Sequence, residues 1–205
     1  YQPKLVFSDL LLLNTLELGQ VRSGAAEAIK CGAIYSRGLF EYLEDKIEDL
    51  LRLNSEALMR TVTECVQIKA SVVSQDEKDT QNKRIVLNFG HTIGHAIESE
   101  SNFRLLHGEA VSVGMVAAAK LAVKLGICPE EVHQRLVGLL QRAGLPIHAK
   151  KLRLNPDKVI ARMKHDKKFV NGRNLFVLPT SIGSWCKKEG IDEGMIRKVA
   201  LADLI

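Results

Sequence analysis

The sequence is short of aromatic residues, of cysteine and of unbroken apolar runs, and each shortage removes a class of protein. Aromatics make up 5% of the 205 residues. The 29 Lys and Arg are scattered rather than gathered into a stripe, so the stacking platforms and basic tracks of nucleic-acid binding are missing. A formal charge of +5 instead suits a phosphorylated small molecule. The four cysteines, at positions 31, 65, 128 and 186, form no CxxC pair and are too sparse for a disulfide scaffold, which points to a reducing, cytoplasmic setting. The most apolar stretch, 110–127, is interrupted by Lys120 and Lys124 and is rich in Gly and Ala, as in a helix packed inside a protein rather than a membrane span. The opening Tyr-Gln-Pro-Lys lacks the basic start and small-residue cleavage site of a signal peptide. No Gly-rich strand-to-helix turn for a pyrophosphate appears either.

Helical period dominates what remains. Segments of that period run over 24–34, 39–53, 55–73, 84–98, 107–126 and 129–143. Asn155-Pro156 reads as the cap and first position of a further helix ending near Lys164, and a last one starts near Asp192. Leu5 to Phe7 reads as a short strand, and 175–179 with 184–187 as a small hairpin through Ile182-Gly183. The expected fold class is therefore mainly α, with short strands near the N-terminus and around 175–187.

Three segments carry candidate chemistry. In RIVLNFGHTIGHAIE, Arg84, Asn88, His91 and His95 are spaced by four, three and four. On one continuous helix they form a polar stripe within about 60°. Gly90 and Gly94 each precede a histidine and permit close approach, although each weakens a helix by roughly 1 kcal/mol. His107 opens HGEAVSVGMVAAAK, whose small residues make a slim helix able to pack closely. Glu27 sits in GAAEAIK with Lys30 one turn away. Each residue alone is more often structural: an HxxxH on a solvated face, a satisfied core histidine, a surface Glu–Lys pair. Together, two imidazoles and a carboxylate make the His₂Glu set of catalytic zinc, with a coordination position left for water or substrate. The paired cysteine spacing preferred by a structural zinc site is absent.

The patterns GxAExIK, LNxGHxxGHAxE and LHGEAVxxGM, in that order and with 16 residues from His91 to His107, resemble the C-terminal part of the 3-dehydroquinate synthases, members of the sugar-phosphate cyclases. The resemblance runs from QPKLVFSD through DKK at 166–168 to VLPTSIG, essentially the whole chain. It implies an NAD-dependent lyase of the shikimate pathway that converts 3-deoxy-D-arabino-heptulosonate 7-phosphate into 3-dehydroquinate and phosphate. The implied steps are transient oxidation, phosphate elimination, reduction and aldol ring closure.

Carried over residue by residue, the resemblance implies Glu27, His91 and His107 as ligands of a divalent metal, zinc or cobalt. It implies Lys30, Lys69, Arg84, Asn88, His95, Lys167 and Lys168 as substrate contacts, with either of the last two on the phosphate. It implies His95, Lys30 and Asp79 as catalytic residues. Asp79 is the nearest match to an acidic loop residue, in a loop that reads DEKDTQNKR, is one residue longer than usual and has Asn82 where Gly is common.

No cofactor-binding residue for NAD is assigned within the chain. Residues 1–205 are expected to be one helical metal- and substrate-binding domain, with 1–20 a linker strand from an N-terminal NAD-binding domain, inactive by itself and homodimeric in the whole enzyme. Three other readings stand beside this one: another sugar-phosphate cyclase, a metal-dependent polyol dehydrogenase on the same scaffold, and a non-catalytic helical interaction module with structural histidines.

Overall fold

In a computed structural model of the chain, which describes residues 3–78, 83–164 and 174–205, helices α1 (Leu18–Tyr35), α2 (Arg37–Leu51) and α3 (Ser55–Gln75) lead the chain. Next come α4 (His91–Glu100), α5 (His107–Lys124), α6 (Glu130–Arg142) and α7 (Pro156–Lys164). A hairpin of β1 (Leu175–Ser181) and β2 (Ser184–Glu189) precedes α8 (Glu193–Met195), which continues as a π-helical turn over Ile196–Leu201. The mainly α expectation and the hairpin are borne out.

The centre is α5. Its run of Ala, Val, Gly and Met is buried on nearly every side, as an all-round apolar helix must be. Helices α1, α4 and α6, the hairpin and the π-turn pack around it. Strand β1 pairs antiparallel with β2, Leu178 opposite Cys186 and Val177 opposite Lys187, with an irregularity between Pro179 and Ser181 where proline cannot donate to the ladder. Residues Leu175 to Leu178 are all buried. The hairpin tip docks on α1 through Gly183 N–H donating to the Ala33 carbonyl at 2.9 Å, and Asn174 clips the far end to Ile191 by two hydrogen bonds of 2.7 and 2.8 Å.

Local sequence explains the helix ends. Asn54 caps α3, its Oδ1 accepting from the N–H groups of Glu56 and Ala57 at 3.1 Å. Asn155 caps α7 in the same way, accepting from Asp157 at 2.8 Å. Across the surface, Arg135 grips Glu44 and Arg142 grips Glu48, each through two nitrogens, tying α6 to α2.

Two expectations fail. Leu5, Val6 and Phe7 form no strand and are largely exposed; an apolar run becomes a strand only beside a partner, and no described strand lies next to it. The continuous helix over 84–98 is also broken. Lys83–Asn88 is a 3₁₀ turn, and α4 begins only at His91, after Gly90 at φ +76°. The stripe of Arg84, Asn88, His91 and His95 therefore does not lie on one helix.

Candidate metal and substrate site

Close backbone packing assembles the site. A Cβ on Gly108 would lie 2.3 Å from the Ser23 carbonyl oxygen, and the Gly108 N–H donates to Ser23 Oγ at 2.8 Å. The first turn of α5 is thus pressed onto α1 one turn before Glu27, which places His107 beside Glu27. A second crossing joins α4 to α5. Gly90 takes the left-handed conformation that ends the 3₁₀ turn, and a Cβ there would meet Met115 Cγ at 2.6 Å. Gly114 answers it from α5, its absent Cβ falling 1.9 Å from the Gly90 carbonyl oxygen. These contacts set His91, at the N-terminus of α4, over the start of α5.

Three elements consequently deliver three donors to one point. Glu27 Oε1 lies 3.7 Å from His91 Nε2 and 3.7 Å from His107 Nε2. The other carboxylate oxygen, Oε2, accepts from Lys30 Nζ at 2.6 Å. Each imidazole is oriented through its remote nitrogen: His91 Nδ1 lies 3.0 Å from the Phe89 carbonyl and His107 Nδ1 lies 3.3 Å from Glu98 Oε2. Hydrogen on both Nδ1 atoms leaves both Nε2 lone pairs facing Glu27, the arrangement that outer partners impose on metal-bound histidines. His95 closes the cluster, its ring centroid 4.9 Å from that of His91 and 5.7 Å from that of His107. The ligating atoms of His91, His95 and His107 also all lie within 4.8 Å of one another.

Electrostatics favour cation binding here. Burial pushes the Glu27 carboxyl up, but the charge and hydrogen bond of the Lys30 ammonium oppose it, and Glu27 is held below the usual carboxylate range. Burial, reinforced by the Lys30 cation and His95, pushes His91 down to about 4 against the opposing pull of the Phe89 carbonyl and Glu27. At neutral pH the pair is a carboxylate and a neutral imidazole. Glu27 Oε1 is itself buried and has no hydrogen-bond partner. A shielded anionic oxygen facing two imidazole lone pairs is costly unless a cation occupies the space, so the donor set fits a divalent metal.

Beside this cluster opens a cavity of about 930 Å³, lined at its polar end by Glu27, Lys30, Lys69, Arg84, Asn88 and His91. Lys30 is only 4% exposed. The sequence-based site residues from α1, α3, the 3₁₀ turn and α4 thus meet on one cavity, although Arg84 and Asn88 reach it from the turn and not from a shared helix face. Asp79, Lys167 and Lys168 lie outside the described residues. Sequence reasoning assigned no role to Glu98 or Ser23. Glu98 stands inside the pattern LNxGHxxGHAxE, three residues after His95, and that place was its only signal; nothing in the sequence marks Ser23.

Comparison with known proteins decides the family. A sequence model described as 3-dehydroquinate synthase C-terminal matches residues 24–169. The chain belongs to the 3-dehydroquinate synthase C-terminal family. Curated relatives include 3-dehydroquinate synthases from Crocosphaera subtropica, 44% identical over 97% of this chain and 55% of the relative, and Pelotomaculum thermopropionicum, 45% identical over 96% and 53%. The chain thus spans about half the length of these members of the family.

Among solved structures, a 2-epi-5-epi-valiolone synthase from Streptomyces hygroscopicus with NAD+ and Zn2+ bound superposes with TM-score 0.84 at 25% identity, over 92% of this chain and 52% of that one. A 2-deoxy-scyllo-inosose synthase complexed with carbaglucose-6-phosphate, NAD+ and Co2+ gives 0.79 at 27% identity, over 97% and 57%.

Proposed function

We propose that this chain is the metal- and substrate-binding half of a 3-dehydroquinate synthase, acting on 3-deoxy-D-arabino-heptulosonate 7-phosphate. The observation that carries the reading is the partnerless Glu27 Oε1 at 3.7 Å from two imidazole nitrogens, beside a cavity lined with Lys30, Lys69 and Arg84. Glu27, His91 and His107 hold a divalent cation, zinc or cobalt. When bound, that cation polarises a substrate hydroxyl, and NAD supplies the hydride acceptor.

The chain's own residues do the rest. Lys30, held by Glu27 at 2.6 Å, presents a fixed positive charge to the substrate next to the donor cluster. Lys69 and Arg84 neutralise its carboxylate and phosphate, Arg84 with the planar fork that takes two anionic oxygens at once. Asn88 orients hydroxyls by hydrogen bonding. His95, against both ligand imidazoles, moves a proton between the reacting carbons' substituents and solvent. Asp79 supplies the acid and one of Lys167 and Lys168 the further phosphate contact in this reading.

An N-terminal nucleotide-binding half supplies the NAD site. The exposed Leu5, Val6, Phe7, Leu11 and Leu12 suit a segment covered by that half, since apolar groups so clustered gain from burial. The whole enzyme is read as a homodimer. Among the described residues no helix is long and apolar enough to cross a membrane.

Curated synthases at 42–46% identity, against 25–27% for the solved valiolone and inosose synthases, favour the dehydroquinate reaction over another cyclisation. The test supplies the full product of the gene with NAD and zinc and offers heptulosonate 7-phosphate or glucose 6-phosphate. Dehydroquinate formation from the first and no turnover of the second is expected; turnover of glucose 6-phosphate alone would overturn the assignment.

A further inference from the structure

Three residues at one-turn intervals on α1, Gly19, Ser23 and Glu27, meet the start of α5. A Cβ on Gly19 would lie 3.3 Å from Leu106 Cδ1, and one on Gly108 would lie 2.5 Å from Ser23 Cα. The two backbones are therefore in contact one turn from the carboxylate that faces His107. Across this contact the Gly108 N–H donates to Ser23 Oγ at 2.8 Å. We propose that Ser23 is a positioning residue of the metal site, its hydroxyl capping α5 from α1 and thereby setting the spacing of Glu27 and His107.

A helix begins with N–H groups that have no acceptor inside it. At the start of α5, Glu109 and Ala110 donate to the Leu106 carbonyl at 3.0 and 3.1 Å, and the Leu106 N–H donates to Glu109 Oε2 at 2.8 Å. Leu106, which stands at the cap position, has no side-chain oxygen to offer Gly108. Gly108 is buried, so its N–H is shielded from water. Without the Ser23 hydroxyl that donor is left unsatisfied, and α5 relaxes away from α1 to find an acceptor.

Such a movement falls on a close tolerance. Two donors held tetrahedrally at about 2.0–2.1 Å from zinc stand about 3.4 Å apart, and Glu27 Oε1 already lies 3.7 Å from His107 Nε2. Ser23 fixes the main chain next to that ligand, while Glu98 turns its ring. His91 is placed by the separate crossing of Gly90 on Gly114, so a change at Ser23 acts on one ligand pair. Ser23 has this role on the reading that Glu27, His91 and His107 hold the metal.

Ser112 supplies the comparison. It lies on the same helix, about 140° around the axis from His107, and is fully buried. Its Oγ donates to the Pro146 carbonyl at 2.8 Å. Its loss removes a buried hydroxyl from α5 without touching the contact with α1.

The experiment takes the full gene product as wild type, Ser23→Ala and Ser112→Ala, reading zinc affinity by chelator competition and metal-free stability by urea unfolding. Both substitutions should lower stability, but only Ser23→Ala should weaken zinc binding, about tenfold, with the one-to-one stoichiometry kept. Wild-type affinity in Ser23→Ala, or an equal loss of affinity in both variants, would overturn the positioning role and leave the ligand set standing. Full zinc retention by His107→Ala would instead overturn the ligand set, and the role of Ser23 with it. If Ser23→Ala does not fold, hydrogen exchange on the metal-free wild type decides: the Gly108 amide should be protected, and exchange at the rate of an open chain would show that no cap is formed.

Discussion

Lys30 Nζ sits 2.6 Å from Glu27 Oε2, which leaves Oε1 as the carboxylate oxygen turned toward His91 and His107. One side of the carboxylate is thereby fixed by a nearly buried cation, and the other is presented in a single orientation. In the proposed metal site Oε1 is the donor atom that faces both imidazoles, while Oε2 is held by Lys30.

The first prediction concerns the support of His107. Glu98 Oε2 lies 3.3 Å from His107 Nδ1 and orients the ring without touching the metal position. Glu98→Gln should therefore weaken zinc binding by about 10–100-fold while preserving one-to-one stoichiometry, the usual effect of altering an outer partner. Competition titration against a chromophoric chelator measures it. His107→Ala should instead abolish stoichiometric binding, and equal affinities for wild type and Glu98→Gln would show that Glu98 has no orienting role.

The second follows from His91, whose folded value is pushed down to about 4 from 6.5 by burial. Above pH 6.5 the imidazole is neutral in both states, and the native state keeps its full stability. Between 6.5 and about 4 the unfolded chain takes up the proton first, so stability falls with pH and levels off below 4. The loss approaches roughly 3 kcal/mol for that change in pKa. Glu27, also held low, adds its own loss only as pH falls below its ordinary 4.5. Urea titrations of chelator-treated protein, wild type against His91→Gln, isolate the histidine. An unchanged slope from pH 6.5 to 5 in the variant would contradict the account.

Particular residues show how far the sequence could be read. The helices were legible because apolar period survives packing: the face of α6 carrying Val132, Leu136, Leu139 and Leu140 is buried as its spacing requires. The break after Asn88 was not, because Phe89-Gly90 continues the helical pattern while the backbone turns there into the left-handed region. Convergence of Glu27, His91 and His107 was legible only as a resemblance. Its physical cause is the fit of Gly108 against Ser23 and of Gly114 against Gly90, a property of pairs far apart in the chain. Leu5 to Phe7 misled for the opposite reason, since strand propensity says nothing about whether a partner strand is present.

The third prediction separates conformation from packing at the glycines. Gly90 and Gly126 both have positive φ, +76° and +68°, but a Cβ on Gly126 meets nothing within 4 Å, whereas one on Gly90 runs into Met115 and the Val111 carbonyl. Gly126→Ala should lose only the left-handed penalty of about 1–2 kcal/mol. Gly90→Ala should add an overpacking cost of about 1–3 kcal/mol and, by moving α4 off α5, weaken metal binding as well. Denaturant unfolding and zinc titration of both variants check this, and equal losses would show that the α4–α5 crossing is more yielding than its contacts indicate.

The last prediction tests the anion-binding reading of the cavity. Arg84 lines it from a 3₁₀ turn together with Lys30 and Lys69, so its charge adds to two others while its planar fork is the only guanidinium among the described lining residues. Arg84→Lys keeps the charge and loses the fork. It should raise the KM for a carboxylated sugar phosphate by about tenfold, roughly 1.4 kcal/mol. Arg84→Met loses both charge and fork and should cost more, since charge-assisted pairs are worth about 1.5–3 kcal/mol. Zinc affinity should be unchanged in both variants, because Arg84 is not among the clustered donor atoms. Steady-state kinetics of the full gene product read the first effect and chelator competition the second. If the lysine variant matched wild type while the methionine variant failed, charge alone would account for binding, and the two-point contact assigned to Arg84 would be wrong.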